Sequence, residues 1–246
     1  MIHLSVNINK VATVRNSRGG EEPSVVHAAS VCVDAGAPGI TVHPRADARH
    51  ITPSDVRETA ALLANRGGSV EFNIEGDPRP DLLALVREVR PTQCTLVPVL
   101  PGEITSQAGW SPAASSDLLA AAVRGLRADG VRVSLFVDPE EDPIRWAADL
   151  GADRVELYTE PFARAFERGE AAARESFAAY ARAASLANFL GMGVNAGHDL
   201  DLDNLRLFRT LPHLAEVSIG HALISHALFV GLDRSVRDYL HVLAGS

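Results

Sequence analysis

Four histidines in this chain stand where extended runs give way to turns: His43, His50, His198 and His221. Imidazole is the side chain whose ordinary titration lies nearest neutral pH, so histidines gathered at strand ends suit proton transfer. His43 closes the run Gly39-Ile40-Thr41-Val42, with Arg45, Arg49 and His50 following closely. A guanidinium matches phosphate oxygens bidentately, so Arg18, Arg45 and His50 are candidates for an anion site; solvated surface cations are the alternative. Two endings resemble each other, Asn195-Ala196-Gly197-His198-Asp199 and Ser218-Ile219-Gly220-His221. Glycine there lets backbone N–H groups approach an anion, which makes a second phosphate site. Glu71 and Glu156 sit inside apolar, strand-like runs. A carboxylate so placed is either ion-paired or tuned for acid–base work.

Around these lie weaker signals. The first strand-like run ends Asn7-Ile8-Asn9-Lys10, and Lys10 is the only lysine among 23 basic residues. A desolvated lysine can form imines with carbonyls, but a loop position two residues past Ile8 favours pairing with phosphate. Thr105 and Ser106 follow the fourth run, in an irregular stretch from Pro101 to Trp110 that reads as a mobile loop. Arg49 reads as surface. Metal chemistry has little support: there is no thiolate cluster, no carboxylates group at ligand spacing, and Asn7-Ile8-Asn9 stands where a barrel hydrolase would want His-x-His.

These residues converge only if the chain places strand ends together. Strand-like runs fall at about 2–8, 38–43, 70–74, 93–98, 131–137, 153–158, 191–195 and 215–219. Between and after them lie helix-periodic stretches at about 23–35, 53–66, 79–89, 115–128, 141–149, 162–188, 201–210 and 222–243. Short apolar strands alternating with helices predict a (β/α)8 TIM barrel, whose strand C-termini share one face. Gly169 interrupts the longest helical stretch, predicting an extra helical insertion. Local chemistry agrees: Thr52 precedes Pro53 as a cap, Pro23 opens the first helix, and Gly36 and Gly130 follow helix ends. No linker or shift in composition divides residues 1–246, so one barrel domain is expected.

The 246 residues carry a formal net charge of −8 and are 46% hydrophobic, which supports a sizeable core and argues against a general nucleic-acid or membrane surface. Cys32 and Cys94 lie in apolar segments and read as buried thiols. No apolar run approaches the ~18 residues of a membrane span, and no leader pattern opens the chain. A soluble, cytoplasmic protein is expected.

The assembled segments Val6-Asn7-Ile8-Asn9-Lys10-Val11-Ala12-Thr13-Val14-Arg15-Asn16-Ser17-Arg18-Gly19, Gly39-Ile40-Thr41-Val42-His43-Pro44-Arg45, Arg49-His50-Ile51, Val194-Asn195-Ala196-Gly197-His198 and Ser218-Ile219-Gly220-His221-Ala222 resemble those of the pyridoxine 5′-phosphate synthase family of vitamin B6 biosynthesis. The resemblance covers essentially the whole chain. It implies a (β/α)8 barrel that condenses 3-amino-2-oxopropyl phosphate with 1-deoxy-D-xylulose 5-phosphate, giving pyridoxine 5′-phosphate, phosphate and water without metal or redox cofactor. It further implies His43 as general base, Glu71 as a second acid–base group, His198 as proton donor and Glu156 as a stabiliser of charge. By the same resemblance Arg45, His50 and Thr105 bind the sugar phosphate, while Asn7, Arg18, Gly220 and His221 bind the amino-ketone phosphate with Asp199 close by. The family forms homo-oligomers, typically octamers. Two departures stand out: many members carry Asp-His where this chain has Asn9-Lys10, a pair that would contact the sugar phosphate, and Gly where it has Asp199. Two other readings stay open, a phosphate-binding aldolase or isomerase using Lys10, and a non-catalytic sensor of phosphorylated ligands.

Overall fold

The computed structural model describes residues 1–99, 108–113 and 116–245. Eight strands are β1 (His3–Asn7), β2 (Gly39–Val42), β3 (Glu71–Gly76), β4 (Gln93–Leu96), β5 (Arg132–Val137), β6 (Arg154–Tyr158), β7 (Gly193–Gly197) and β8 (Leu214–Ile219). They pair in parallel and in sequence order, and β8 closes on β1. The helices are α1 (Asn9–Asn16), α2 (Val25–Asp34), α3 (Pro53–Ala64), α4 (Pro80–Val89), α5 (Ser116–Ala128), α6 (Glu141–Asp149), α7 (Glu160–Glu167), α8 (Glu170–Phe189), α9 (Leu205–Phe208), α10 (His221–Val230) and α11 (Leu232–Ala244). This is a (β/α)8 barrel with an added helix at α7–α8, where Gly169 takes a φ of 112°.

Strand alternation divides the barrel sharply. Leu4, Val6, Ile40, Val42, Ile74, Leu96, Leu135 and Val217 are fully buried in the layer shared with the helices. The residues between them are polar. Ser5 and Thr41 hydroxyls lie 2.6 Å apart, Asn73 donates to Thr41 (3.2 Å), and Thr95 donates to Asn73 (3.0 Å). Asn195 reaches across from β7 to Gln93 on β4 at 3.3 Å, so this set faces the barrel axis. A buried polar group costs several kcal/mol unless it is bonded, which explains why these side chains bond one another.

Several boundaries follow from local chemistry. Thr52 caps α3 and Asp55 returns the bond to the Thr52 N–H, a complete capping box with Pro53 at the first turn. Pro23 does not enter α2; Ser24 is its cap and accepts from the His27 N–H. The 222–243 stretch is two helices, broken at Gly231 (φ 88°). Helix α1 runs against expectation. Val11, Thr13 and Val14 are β-branched and lower helix propensity, but burial of Val11 and Ala12 overrides it. Lys10 therefore lies in the first turn of a helix, not in a loop.

Asp55 also holds Arg15 through both guanidinium nitrogens, and Arg15 and Asn16 donate to the His50 carbonyl. One carboxylate thus caps α3 and ties α1 to the turn that carries His50. Asp55→Ala would strand a largely buried guanidinium, and is expected to cost about 3 kcal/mol. The check is a urea unfolding midpoint; a midpoint within error of wild type would contradict the assignment.

Candidate active site

At the C-terminal end of the strands lies a cavity of about 440 Å³. Asn7, Asn9 and Lys10 line it from β1 and α1, and His43, Arg45, Arg49 and His50 from the segment after β2. Glu75 enters from β3, His198 and Asp199 from beyond β7, and Ser218, Gly220 and His221 from β8 and α10.

Two contacts place His43. Its backbone N–H donates to Asn9 Oδ1 (2.9 Å), and its Nδ1 lies 3.8 Å from Glu75 Oε2. Its Nε2 is buried and has no hydrogen-bond partner. Burial, then electrostatic repulsion from His50, Arg45 and Arg79 when the ring is protonated, hold its pKa well below the ordinary value. The ring is neutral at pH 7, the form a base requires. His50 accepts the Ile51 N–H at Nδ1 (2.9 Å), which leaves Nε2 as its N–H donor. Burial and the charges of Arg45 and Lys10 lower its pKa to about 4. His50 therefore offers a hydrogen bond, while Arg45 and Lys10 supply the positive charge.

His198 and Asp199 both have positive φ, 76° and 53°, an uncommon state for residues with side chains. The Thr159 hydroxyl secures this turn against the carbonyls of Gly197 and His198, and Asn204 donates to the Asp199 carbonyl (3.0 Å). The end of β6 is braced in turn by Tyr180 on α8, whose hydroxyl donates to the Tyr158 carbonyl (2.6 Å). The turn seats the His198 ring 4.8 Å from Phe136, where burial lowers its pKa to about 4. Helix α10 begins at Gly220, its N-cap. A Cβ at Gly220 would sit 3.1 Å from Asn7, so glycine permits β1 and the helix N-terminus to close together. Unpaired N–H groups at that N-terminus favour an anion.

Below the cavity, Glu156 is 1% exposed, and its Oε2 has no hydrogen-bond partner. A Cβ on Gly197 would fall 2.3 Å from its Oε1, so glycine at 197 makes room for this carboxyl. Burial, then Glu75 and Glu216, raise its pKa well above the ordinary range, so it is a neutral acid.

A sequence model of the family described as "Pyridoxal phosphate biosynthesis protein PdxJ" matches residues 4–245. The chain belongs to this family. It is 50% identical over 245 residues to pyridoxine 5′-phosphate synthase of Porphyromonas gingivalis, covering 99% of this chain and 100% of the relative. It is 51% identical over 244 residues to the Bacteroides fragilis synthase, at 99% and 100% coverage. Solved structures with similar folds include phosphoribosyl anthranilate isomerase from Thermotoga maritima, with a TM-score of 0.63, 12% identity and full coverage of both chains. A 3-hexulose-6-phosphate synthase gives a TM-score of 0.64 at 13% identity, covering 98% of this chain and 100% of the other. At such identities the likeness speaks for the barrel alone.

For this PdxJ-family chain the cavity brings together Asn7, Asn9, Lys10, His43, Arg45, His50, His198, Asp199, Gly220 and His221. Two expected residues lie elsewhere, and a third falls outside the described residues. Glu71 is not on this rim. It opens β3 at the opposite end of the barrel, where it pairs with Arg132 and lies 3.9 Å from His3. The strand runs on to Gly76, and the alternation that turns Glu71 inward at the bottom turns Glu75 inward at the top. Arg18 is exposed beyond the end of α1 and does not line the cavity. Thr105 lies outside the described residues, as does most of the 101–110 stretch. The described end of that stretch is packed: Trp110 Nε1 donates to the Leu96 carbonyl at 2.9 Å. Glu156 sits beneath the cavity without lining it. Sequence reasoning missed Glu75, Ser218 and the cavity-edge position of Arg49, which pairs with Asp47.

Proposed function

We propose that this chain is a pyridoxine 5′-phosphate synthase, joining 3-amino-2-oxopropyl phosphate to 1-deoxy-D-xylulose 5-phosphate with loss of phosphate and water. The observation that carries this reading is one cavity holding a neutral buried base, His43, between two differently built anion subsites, in a chain half identical to synthases over its full length. Arg45, Lys10 and the His50 N–H suit the sugar phosphate. The α10 N-terminus, with Asn7, Gly220 and His221, suits the amino-ketone phosphate. Thr105 and Arg18 are assigned to the same two phosphates by family resemblance.

The reaction joins amine to ketone as an imine, closes the ring, and expels water and phosphate until the ring is aromatic. Each stage moves protons at or beside carbon, work for bases that are neutral at pH 7. His43 takes protons from carbon at Nε2. His198 becomes an imidazolium only when negative charge develops beside it, because the opposite charge offsets its burial; it then returns a proton to the departing phosphate. Glu156, neutral and packed against Gly197, adds no negative charge beneath the developing enolate.

Inorganic phosphate should be released only when both substrates are present; release from either alone would overturn the reading. Use of Lys10 as an imine-forming nucleophile is the rival chemistry. Lys10→Ala is expected to raise KM for the sugar phosphate about tenfold and keep kcat within about threefold. Loss of all turnover, with borohydride trapping substrate on wild-type Lys10, would favour the rival. Turnover of any kind excludes a sensor.

The chain is further proposed to be a single barrel domain that assembles as a homo-oligomer, with an octamer implied by family resemblance. Leu228, Phe229 and Val230 at the end of α10 are 74%, 88% and 42% exposed, an apolar edge that assembly would cover. A cytoplasmic location suits the two buried free thiols, Cys32 and Cys94. No helix among the described residues is long and apolar enough to cross a membrane.

A further inference from the structure

We propose that Thr159 is a positioning residue for His198, holding the turn after β7 in the shape that presents the imidazole to substrate. This rests on the synthase reading above, in which His198 returns a proton to the departing phosphate. Helix α7 begins with a cap that it does not use. Thr159 stands at its N-cap, where a threonine ordinarily spends its hydroxyl on an N–H of the first turn. Here the side chain makes no bond to the helix. It crosses to the neighbouring strand end, where the hydroxyl reaches the carbonyls of Gly197 (2.7 Å) and His198. The Thr159 N–H adds a further bond to the Gly197 carbonyl at 3.2 Å. Thr159 is fully buried, so bulk solvent does not compete for these carbonyls.

The turn needs such a hold. His198 and Asp199 are successive non-glycine residues at positive φ, 76° and 53°. A state of this kind persists only where its surroundings over-determine it. With Asn204 on the Asp199 carbonyl, the carbonyls of residues 197, 198 and 199 are all pinned, by two buried side chains. The His198 ring itself is held more loosely. Its Nδ1 is buried without a hydrogen-bond partner, and the ring rests on Phe136 and Tyr158, with centroids 4.8 and 5.9 Å away. Aromatic packing is less directional than a hydrogen bond, so the backbone turn sets where the ring nitrogens point. The Gly197 carbonyl that Thr159 grips is also the group whose polarity favours the protonated ring.

Thr159 is fixed in turn from its far side. The peptide between Tyr158 and Thr159 gives its N–H to Gly197 and receives the Tyr180 hydroxyl at its carbonyl, at 2.6 Å. Tyr180 belongs to α8, the helix after the Gly169 break, and is 1% exposed. A continuous line of bonds thus runs from that helix through the end of β6 to the His198 turn. A misplacement of about 1 Å can cost about 10²-fold in rate, which is the scale on which a loosened turn would act.

The test compares the purified wild type with Thr159→Val, Thr159→Ser and Tyr180→Phe, following pyridoxine 5′-phosphate formation from both substrates. Thr159→Val keeps the branched shape and removes the hydroxyl. Its kcat is expected to fall about 10- to 100-fold with both KM values within about threefold, because Arg45, Lys10 and the α10 N-terminus are untouched. Thr159→Ser restores the hydroxyl and should bring kcat back to within about threefold of wild type. Tyr180→Phe should lower kcat about two- to fivefold with KM unchanged, a readout that stands even if Thr159→Val fails to fold. A folded Thr159→Val with near-normal kcat, a Thr159→Ser as slow as Thr159→Val, or a Tyr180→Phe indistinguishable from wild type would overturn the proposal. So would losses that fall on KM instead of kcat. A wild type that forms no product would instead overturn the synthase reading, and the role of Thr159 with it.

Discussion

His43→Ala is expected to lower kcat about 10³-fold while both KM values stay within about threefold. The magnitude follows from where the ring sits. Its Nε2 is buried without a hydrogen-bond partner, so removal takes away a base and no structural bond at that atom. Substrate affinity should survive because the anion-binding groups, Arg45, Lys10 and the α10 N-terminus, are separate from it. The pH profile adds a second signature. Burial and nearby cations keep His43 neutral well below pH 6.5, so wild-type kcat/KM should show no acidic limb at the ordinary imidazole value. Equal losses in kcat and affinity, or a limb near pH 6.5, would mean that His43 binds substrate rather than moving its protons.

The second large effect belongs to Arg45. Its side chain is 7% exposed and lines the cavity two residues past His43, with its charge felt at both His43 and His50. A guanidinium in so dry a place meets a phosphate with little solvent screening, and truncating it should cost about 2–4 kcal/mol in binding. That corresponds to a fall in kcat/KM for the sugar phosphate of about 30- to 1,000-fold, expressed mainly in KM. Arg45→Lys should recover only part of the loss, because an ammonium lacks the planar fork. The His50 pKa offers an independent check. Arg45 is the largest lowering influence on it after burial, so His50 should titrate higher in Arg45→Ala by NMR. If the amino-ketone phosphate suffers the larger KM change, the two anion subsites have been assigned the wrong way round.

Much of the barrel is legible from residue order alone, since short apolar runs separated by helix periodicity have few other solutions. Thr52-Pro53, Gly36 and Gly169 mark boundaries through backbone chemistry that acts within a few residues, and each sits where expected. Helix α1 was hidden because Val11, Thr13 and Val14 disfavour a helix locally, and the packing that overrides them comes from distant parts of the chain. Glu71 and Glu75 differ by a matter of register. Both turn inward, and only the full length of β3 decides which end of the barrel each occupies. Asp77 and Pro78 hold that signal, because they end the strand at Gly76, one residue past Glu75. His43, His198 and the two Gly-His turns were readable because chemistry and strand end coincide in sequence. Arg18 was not: a cation two residues past a helix end can point anywhere, and here it points to solvent.

The most direct measurement is to incubate the purified wild-type chain with both phosphorylated substrates and follow pyridoxine 5′-phosphate and inorganic phosphate together by mass spectrometry and colorimetry. The account predicts equal amounts of the two, formed without added metal or redox cofactor. Consumption of either substrate without a pyridinol phosphate, or phosphate released in excess of it, would contradict the account.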